Sequence, residues 1–144
     1  MNLISLQLKT SSSFENNFQK LEKKILNTPE NSFILVPELY LTGYSYTRLE
    51  EATTFTLNSL QHLKDLSINK IIAITMTTKK DNKFFNTLHI FHNGNIVHTQ
   101  SKAILFVLDD ERKYFTAGKT EDIKIINING IKVAALICFE LRFV

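Results

Sequence analysis

The chain is 144 residues long, 44% of its residues are hydrophobic and 22% are charged, and its formal net charge is +3. This composition fits one globular domain over residues 1–144 and excludes a disordered or fibrous protein. No stretch reaches the roughly 20 apolar residues of a membrane-spanning helix, and the lysines are scattered, so we expect neither a membrane nor a nucleic-acid partner. The single cysteine cannot form an intramolecular disulfide, which favours a reducing, cytoplasmic location.

The first half of the sequence alternates between strand and helix patterns. "LISLQL" alternates apolar and polar residues and predicts a strand. Ser12, with Glu15 three residues later, is a capping box for a helix that Pro29 ends. "SFILVP" is a continuous apolar run typical of a strand buried on both faces, and "KIIAITMTT" is a later β-branched strand. Between them, residues 54–66 predict an amphipathic helix whose apolar face is Leu57, Leu60 and Leu63.

Two β-hairpins with Asn-Gly turns are predicted next, at Asn93-Gly94 and Asn129-Gly130. The second turn fixes a register in which Ile128 faces Ile131 and Ile126 faces Val133. The other face of this ribbon would carry further apolar residues, namely Ile123, Ile125, Ala134 and Leu136. Since both faces are apolar, we expect the ribbon to lie between two layers.

Three histidines near the first turn belong to a residue type that binds metal ions. The predicted register places His89 opposite His98, whereas His92 faces Asn95 on the other side of the sheet. The three side chains would not converge on one ion, so we predict no metal site, and we expect no cofactor.

Three chemically reactive side chains lie at the ends of predicted strands. Glu38 in "PELYLTGYSY" follows a buried strand, where a carboxylate is costly to desolvate unless a charge or a hydrogen bond meets it. Lys102 in "QSKAILF" precedes an apolar run, and Cys138 in "LICFE" ends a predicted buried strand. Each residue also has an ordinary interpretation, as a loop glutamate, a solvated lysine and an inert core cysteine. Residue types alone leave both interpretations open.

Taken in chain order, five short motifs resemble those of the nitrilase, or carbon–nitrogen hydrolase, superfamily. They are "VPELYLTGY", "FFNTLHIF", "SKAILF", "DDERKYFTAGK" and "ALICFELRF", which contain Glu38, Asn86, Lys102, Glu111 and Cys138. The motifs span nearly the whole chain. The sequence departs from the usual pattern at Ala103, where histidine or proline is common, at Glu140, where aspartate is common, and at Val144, where "RFPE" would continue.

The resemblance implies an α/β fold, a four-layer α-β-β-α sandwich that is incomplete in this chain. It also implies that the Cys138 thiolate attacks an amide or nitrile carbon and forms a thioester. Glu38 would be the general base and later the acid. Lys102 and the backbone N–H of Phe139 would stabilise the oxyanion. Burial would raise the pKa of Glu38 and Lys102 would lower it, and the sequence leaves that competition open.

Two further residues are expected to support this site. The resemblance matches Glu111 to a second acidic residue that orients the lysine or the substrate, and it gives Asn86 a supporting position. The expected function is hydrolysis of a non-peptide carbon–nitrogen bond in a small linear amide or nitrile, amides being the commoner substrates. Acyl transfer to another acceptor remains open.

Family members continue past the cysteine, so we expect residues 1–144 to be the N-terminal part of a carbon–nitrogen hydrolase domain. Its partner would be a second copy of the chain or a separately encoded C-terminal half. An alternative is a catalytically inactive remnant whose uncovered sheet exposes apolar side chains such as Phe106, Leu141 and Phe143. A small RNA-binding domain would need cations interleaved with aromatic residues, and "HIFHNGNIVH" offers few.

Overall fold

The computed structural model of the protein describes residues 1–107 and 110–143. Within these residues the main layer is a five-stranded sheet whose strands lie side by side in chain order. They are β1 (Asn2–Ser5), β2 (Ser32–Leu35), β3 (Lys70–Lys80), β4 (Lys83–His92) and β5 (Asn95–Ser101). The first three strands are parallel to one another, and β4 runs antiparallel to both of its neighbours, β3 and β5. Parallel neighbours need long connections, which are helical here, whereas antiparallel neighbours are joined by tight turns.

Helices α1 (Phe14–Leu26) and α2 (Leu49–Leu66) lie on one face of this sheet. The cap of α1 is Ser13, whose hydroxyl accepts a hydrogen bond from Asn16 N at 3.1 Å, so the predicted Ser12 cap is one residue early. The reason lies in Asn17, a buried side chain whose Oδ1 accepts from Ser11 N at 2.8 Å and so holds the preceding segment outside the helix. No helix in the described residues is both long enough and apolar enough to cross a membrane.

The buried face of α2 differs from the predicted one. Leu63 is buried, but Leu57 is 62% exposed, and small polar residues such as Thr53 and Ser59 face the sheet instead. Their hydroxyls donate to carbonyls of the same helix, Thr53 to Leu49 O at 2.9 Å and Ser59 to Phe55 O at 2.8 Å. Because these internal bonds satisfy the hydroxyls, the helix can bury them, and leucine spacing alone misplaces the face.

The first hairpin contains a β-bulge that the sequence does not reveal. The turn at Asn93-Gly94 is as predicted, and His92 pairs with Asn95. Beyond the shift between Ile90 and Phe91, however, His98 pairs with Ile90, so the predicted pairing of His89 with His98 is wrong. His89 therefore lies on the helix-facing side of the sheet and His98 on the other. Among residues 1–107 and 110–143, no group of three or more His, Cys, Asp or Glu is arranged to hold a metal ion.

A second layer covers the other face of the main sheet. It is the hairpin of β6 (Ile126–Ile128) and β7 (Ile131–Val133), paired in the predicted register. Ile128 and Ile137 pack against apolar side chains of β2, β3 and β4. The expectation that both faces of the ribbon are covered is wrong, because the ladder ends at Val133 and Ile125 is 70% exposed. Helices, sheet and hairpin together form the predicted α/β sandwich in incomplete form.

Candidate active site

Four polar side chains from separate segments meet in one buried cluster. Glu38 follows β2, Asn86 lies in β4, Lys102 follows β5, and Glu111 begins the single-turn helix α3 (Glu111–Tyr114). Lys102 Nζ lies 2.8 Å from Glu38 Oε1 and 3.0 and 3.1 Å from the two oxygens of Glu111. Asn86 Nδ2 donates to Glu38 Oε1 at 2.8 Å. The structure thus brings together residues that lie up to 73 positions apart in sequence, from Glu38 to Glu111.

A strained turn presents Glu38 to the cluster. The next residue, Leu39, is fully buried and has a φ of 49°, a left-handed conformation that bulky residues rarely adopt. Leu39 N donates to Thr75 Oγ1 on β3 at 2.7 Å, which ties the turn to the centre of the sheet. Strain of this kind persists only where the surroundings determine the backbone, so the position of Glu38 is held by the fold.

The backbone of Lys102 is held from both sides. Lys102 N donates to Asn86 O, and Gly118 N donates to Lys102 O, each at 2.8 Å. Only glycine fits at 118, because a Cβ there would lie 2.2 Å from Ser101 O. The side chain of Lys102 is 1% exposed and extends from this anchored backbone to both carboxylates.

Cys138 reaches the cluster from the hairpin layer, and not from the end of a buried strand as predicted. After β7 the chain runs irregularly through residues 134–137, and Cys138 begins a 3₁₀ helix, Cys138–Phe143, with a φ of 49°. Cys138 is exposed overall, but its sulfur is partly desolvated and lies close enough to Glu38 and to the backbone N–H of Phe139 for both to influence its pKa. An exposed thiol beside a carboxylate is inconsistent with an inert core cysteine.

The charges of the cluster settle the competition that the sequence leaves open. Burial raises the pKa of Glu38, but hydrogen bonds from Lys102, Tyr44 and Asn86, with the Lys102 charge, outweigh burial and hold this pKa below its ordinary value. Burial lowers the pKa of Lys102, but Glu38 and Glu111 outweigh it and raise this pKa overall. Burial and the neighbouring Glu38 raise the pKa of the Cys138 thiol. The resting site therefore holds a carboxylate, an ammonium and a neutral thiol.

The cluster forms the floor of a cavity of about 800 Å³. Phe106 and Phe139 form an apolar wall, with their rings edge to face at 5.1 Å between centroids, and Leu141 and Arg142 lie at the rim. A cavity of this size, mostly apolar with a few convergent polar groups, is typical of small-molecule sites.

Two residues at the site escaped the sequence interpretation. Tyr44 lines the cavity beside Glu38, and burial together with that carboxylate raises the pKa of Tyr44. The carboxylate of Glu140 is buried and accepts backbone hydrogen bonds from Ala103 and Ile137. Tyr44 stands in the same motif as Glu38, and Glu140 in the same motif as Cys138, so the motifs themselves were the available signal.

Comparison with known proteins identifies a family for the chain. The family model described as carbon-nitrogen hydrolase matches residues 4–144. The chain is 32% identical over 133 residues to a 2-oxoglutaramate amidase of Bacillus subtilis (strain 168), covering 88% of this chain and 51% of that protein. It is also 32% identical over 124 residues to a hydrolase in the agr operon of Staphylococcus lugdunensis, covering 83% of this chain and 53% of that protein. The chain thus spans about half the length of the curated relatives it matches.

Solved structures show the same fold. An amidase from Nesterenkonia sp. AN1 superposes with a TM-score of 0.81 at 12% identity, over 96% of this chain and 56% of that one. Nit3 of Saccharomyces cerevisiae, a nitrilase-superfamily member, superposes with a TM-score of 0.73 at 22% identity, over 93% of this chain and 53% of that one. Because the family model matches almost every residue, the chain belongs to the carbon–nitrogen hydrolase family.

Proposed function

We propose that the protein hydrolyses the carbon–nitrogen bond of a small linear amide, with Cys138 as nucleophile, Glu38 as general base and acid, and Lys102 as a fixed positive charge. One observation supports this most directly: the Cys138 thiol lines the same cavity as a carboxylate that is itself bonded to a buried ammonium, and that carboxylate raises the pKa of the thiol. Nucleophile, base and a third group that orients the base are the arrangement that covalent acyl transfer requires.

The pKa directions favour proton transfer during attack over a stored thiolate. The pKa of the Cys138 thiol is raised and that of Glu38 is lowered, so the proton rests on sulfur before the substrate binds. As Sγ bonds to the amide carbon, Glu38 takes the thiol proton and the carbonyl oxygen becomes negative. The backbone N–H of Phe139 and the Lys102 ammonium would stabilise that oxygen, and one such donor is worth about 10²–10³ in rate.

The same carboxyl group then completes the cycle. Glu38 gives its proton to the leaving nitrogen, the carbon–nitrogen bond breaks, and ammonia departs from a thioester on Cys138. Glu38 next takes a proton from water, whose oxygen attacks the thioester carbon. The carbon–sulfur bond breaks, the thiol regains the proton, and a carboxylic acid is released. Each proton taken by Glu38 is returned, so no external acid or base is consumed.

Glu111 and Asn86 would hold the two charged groups in place without touching the substrate. Glu111 is 1% exposed, accepts from Lys102 through both oxygens and also accepts from Phe106 N at 2.6 Å. Asn86 is fully buried and bonds the Glu38 oxygen that also contacts Lys102. Fixing donor and acceptor in advance avoids reorganisation when charge develops.

The first substrate to test is 2-oxoglutaramate, because a relative that is 32% identical is named as its amidase. The purified protein is incubated with this amide and quenched in acid. Its intact mass is then measured by mass spectrometry, and released ammonia is measured in parallel. We expect an added acyl mass on Cys138 and ammonia release that Cys138→Ala abolishes. Ammonia release that persists in Cys138→Ala would refute the mechanism. Presenting the corresponding nitrile, or hydroxylamine as acceptor, tests nitrile hydrolysis and acyl transfer in the same assay.

A second candidate function is that of a half-domain that is active only with a partner. The partner would be a C-terminal half, in the same chain or in a separate one, or further copies of this chain in an oligomer. The observation that favours it is exposure at the cavity rim, where Leu141 is 69% and Phe143 is 60% exposed in a chain that spans about half the length of its relatives. If this second candidate holds, residues 1–144 expressed alone should have little turnover and should self-associate. Adding the C-terminal half of a relative should restore a monodisperse, active species, and full turnover by residues 1–144 as a monomer would contradict this. A cytoplasmic location, which would keep the thiol reduced, is likewise part of the proposal.

A further inference from the structure

Glu140 is a buried carboxylate whose partners are all backbone N–H groups. Its side chain lies in the 3₁₀ helix Cys138–Phe143 and is 2% exposed. Oε1 accepts from Ala103 N at 2.6 Å and from Ile104 N at 3.3 Å, and Oε2 accepts from Ile137 N at 2.7 Å. Within residues 1–107 and 110–143, no lysine, arginine or histidine forms an ion pair with it. Burying a carboxylate is expensive, so this set of donors must hold it firmly.

The donors come from the two segments that the proposed chemistry must align. Ala103 and Ile104 directly follow Lys102, and Ile137 directly precedes Cys138. One carboxylate therefore joins the main sheet, which holds the ammonium, to the hairpin layer, which holds the thiol. Among the described residues, two other polar links join these layers, Gln100 Nε2 with Ala135 O at 2.8 Å and Asn129 Nδ2 with His92 Nε2 at 2.9 Å.

We infer that Glu140 is a positioning residue that sets where Cys138 and the N–H of Phe139 lie relative to Lys102. The inference rests on the proposed function, since it gives Glu140 a part in aligning that site. A displacement of about 1 Å in a catalytic group can lower the rate about 10²-fold. A carboxylate suits the position because both oxygens accept hydrogen bonds, whereas an amide accepts through one and directs an N–H₂ at the other backbone donor.

The test compares Glu140→Gln with Glu121→Gln, a matched change at an exposed glutamate, in the otherwise unaltered protein. Hydrogen exchange of peptides covering residues 101–106 and 135–139 reports the link directly. In Glu140→Gln we expect amide exchange at least about tenfold faster in both peptides, because a charged hydrogen bond is lost at each end, with the α1 and β3 peptides unchanged. Glu121→Gln should leave every peptide as in the wild type.

Kinetics then separate positioning from general stability. For 2-oxoglutaramate, Glu140→Gln should lower kcat about 10²-fold with KM within about threefold, and Glu140→Asp, which keeps both carboxylate oxygens, should recover at least about tenfold of the loss. Unchanged exchange in both peptides, or unchanged kcat, overturns the inference. So does failure of Glu140→Gln to fold, since a positioning residue acts within a folded protein.

An activity-independent readout keeps this test distinct from the proposed function. Iodoacetamide labelling of Cys138 across pH follows the thiol whether or not any amide is hydrolysed. In the wild type, burial and Glu38 raise the pKa of this thiol. The pH at the midpoint of the labelling-rate curve reports the pKa of the Cys138 thiol. Release of the Cys138 turn in Glu140→Gln should lower this inflection towards the pKa of an ordinary cysteine. If the wild type hydrolyses no amide, the proposed function fails while exchange and labelling still decide the role of Glu140. An unmoved inflection counts against that role.

Discussion

Lys102→Met would remove the positive charge that two carboxylates share while keeping an unbranched side chain of similar reach. Lys102 Nζ lies 2.8 Å from Glu38 and 3.0 Å from Glu111, and the side chains of Lys102 and Glu111 are each 1% exposed. Removing one partner of a buried ion pair destabilises a protein by about 3–5 kcal/mol, since the remaining charge has no compensation. Against a typical total of about 5–15 kcal/mol, the variant should still fold but with little margin.

The pH dependence of this loss has a definite sign. In the native protein the pKa of Glu38 is lowered, so its carboxylate contributes stability above the unfolded pKa, and this contribution is lost as pH falls through the folded pKa. In Lys102→Met the hydrogen bond and charge of the lysine are gone, burial dominates, and the pKa of Glu38 should rise above its unfolded value. The variant is then most stable in acid and weakens as pH rises, so its deficit should be largest near about pH 7 and shrink towards about pH 4.

Urea unfolding followed by far-UV circular dichroism, repeated from about pH 4 to about pH 7, measures the stability lost in Lys102→Met and how that loss changes with pH. The matched control is Lys113→Met, which removes an exposed lysine paired with the exposed Asp110 and should leave the unfolding midpoint unchanged. A deficit below about 1 kcal/mol at neutral pH, or one that grows in acid, would refute the account of the buried cluster.

Two other outcomes follow from the same geometry. Glu38→Gln keeps the shape of the side chain but removes the base, so turnover should fall at least about 10²-fold in a protein that still folds, whereas the exposed control Glu15→Gln should keep its turnover; near-normal turnover in Glu38→Gln would exclude Glu38 as the base. Cys138 should be labelled by iodoacetamide in the folded protein, with an inflection above the ordinary cysteine pKa because burial and Glu38 both raise it. Labelling only under denaturing conditions would mean that the thiol is inaccessible.

Much of the site could be predicted because its residues stand at strand ends, which short motifs mark well. Glu38 after β2 and Lys102 after β5 were located by the boundary between apolar runs and polar residues. The Asn-Gly turns gave the register of the second hairpin, because the turn geometry depends on the residues within it. The expected roles of these side chains come from the resemblance to a family, because hydrophobic periodicity locates strands and helices but assigns no chemical role to a residue.

Other features depend on tertiary contacts that no local pattern encodes. The bulge between Ile90 and Phe91 shifts His98 by one position, and one extra residue in a strand has no signature in a run of apolar and polar residues. The strand that was predicted to reach Cys138 ends at Val133, and the left-handed backbone of Cys138 has no glycine to signal it in the sequence. The link through Glu140 joins residues 37 positions apart, from Ala103 to Glu140, and so appears only when both layers are in place.

Cys138 belongs to a different layer from Glu38 and Lys102. Folding of the chain and assembly of the site are therefore two separate equilibria. We expect the main sheet, with its helices, to stay folded when the short hairpin of β6 and β7 separates from it, since an apolar cluster and a few hydrogen bonds hold the hairpin. The fraction of molecules with an assembled site is then set by the free energy of docking this hairpin, which is smaller than that of unfolding the chain. Substitutions at the hairpin interface, such as at Ile128, should therefore disrupt the proposed site in a protein whose main sheet stays folded.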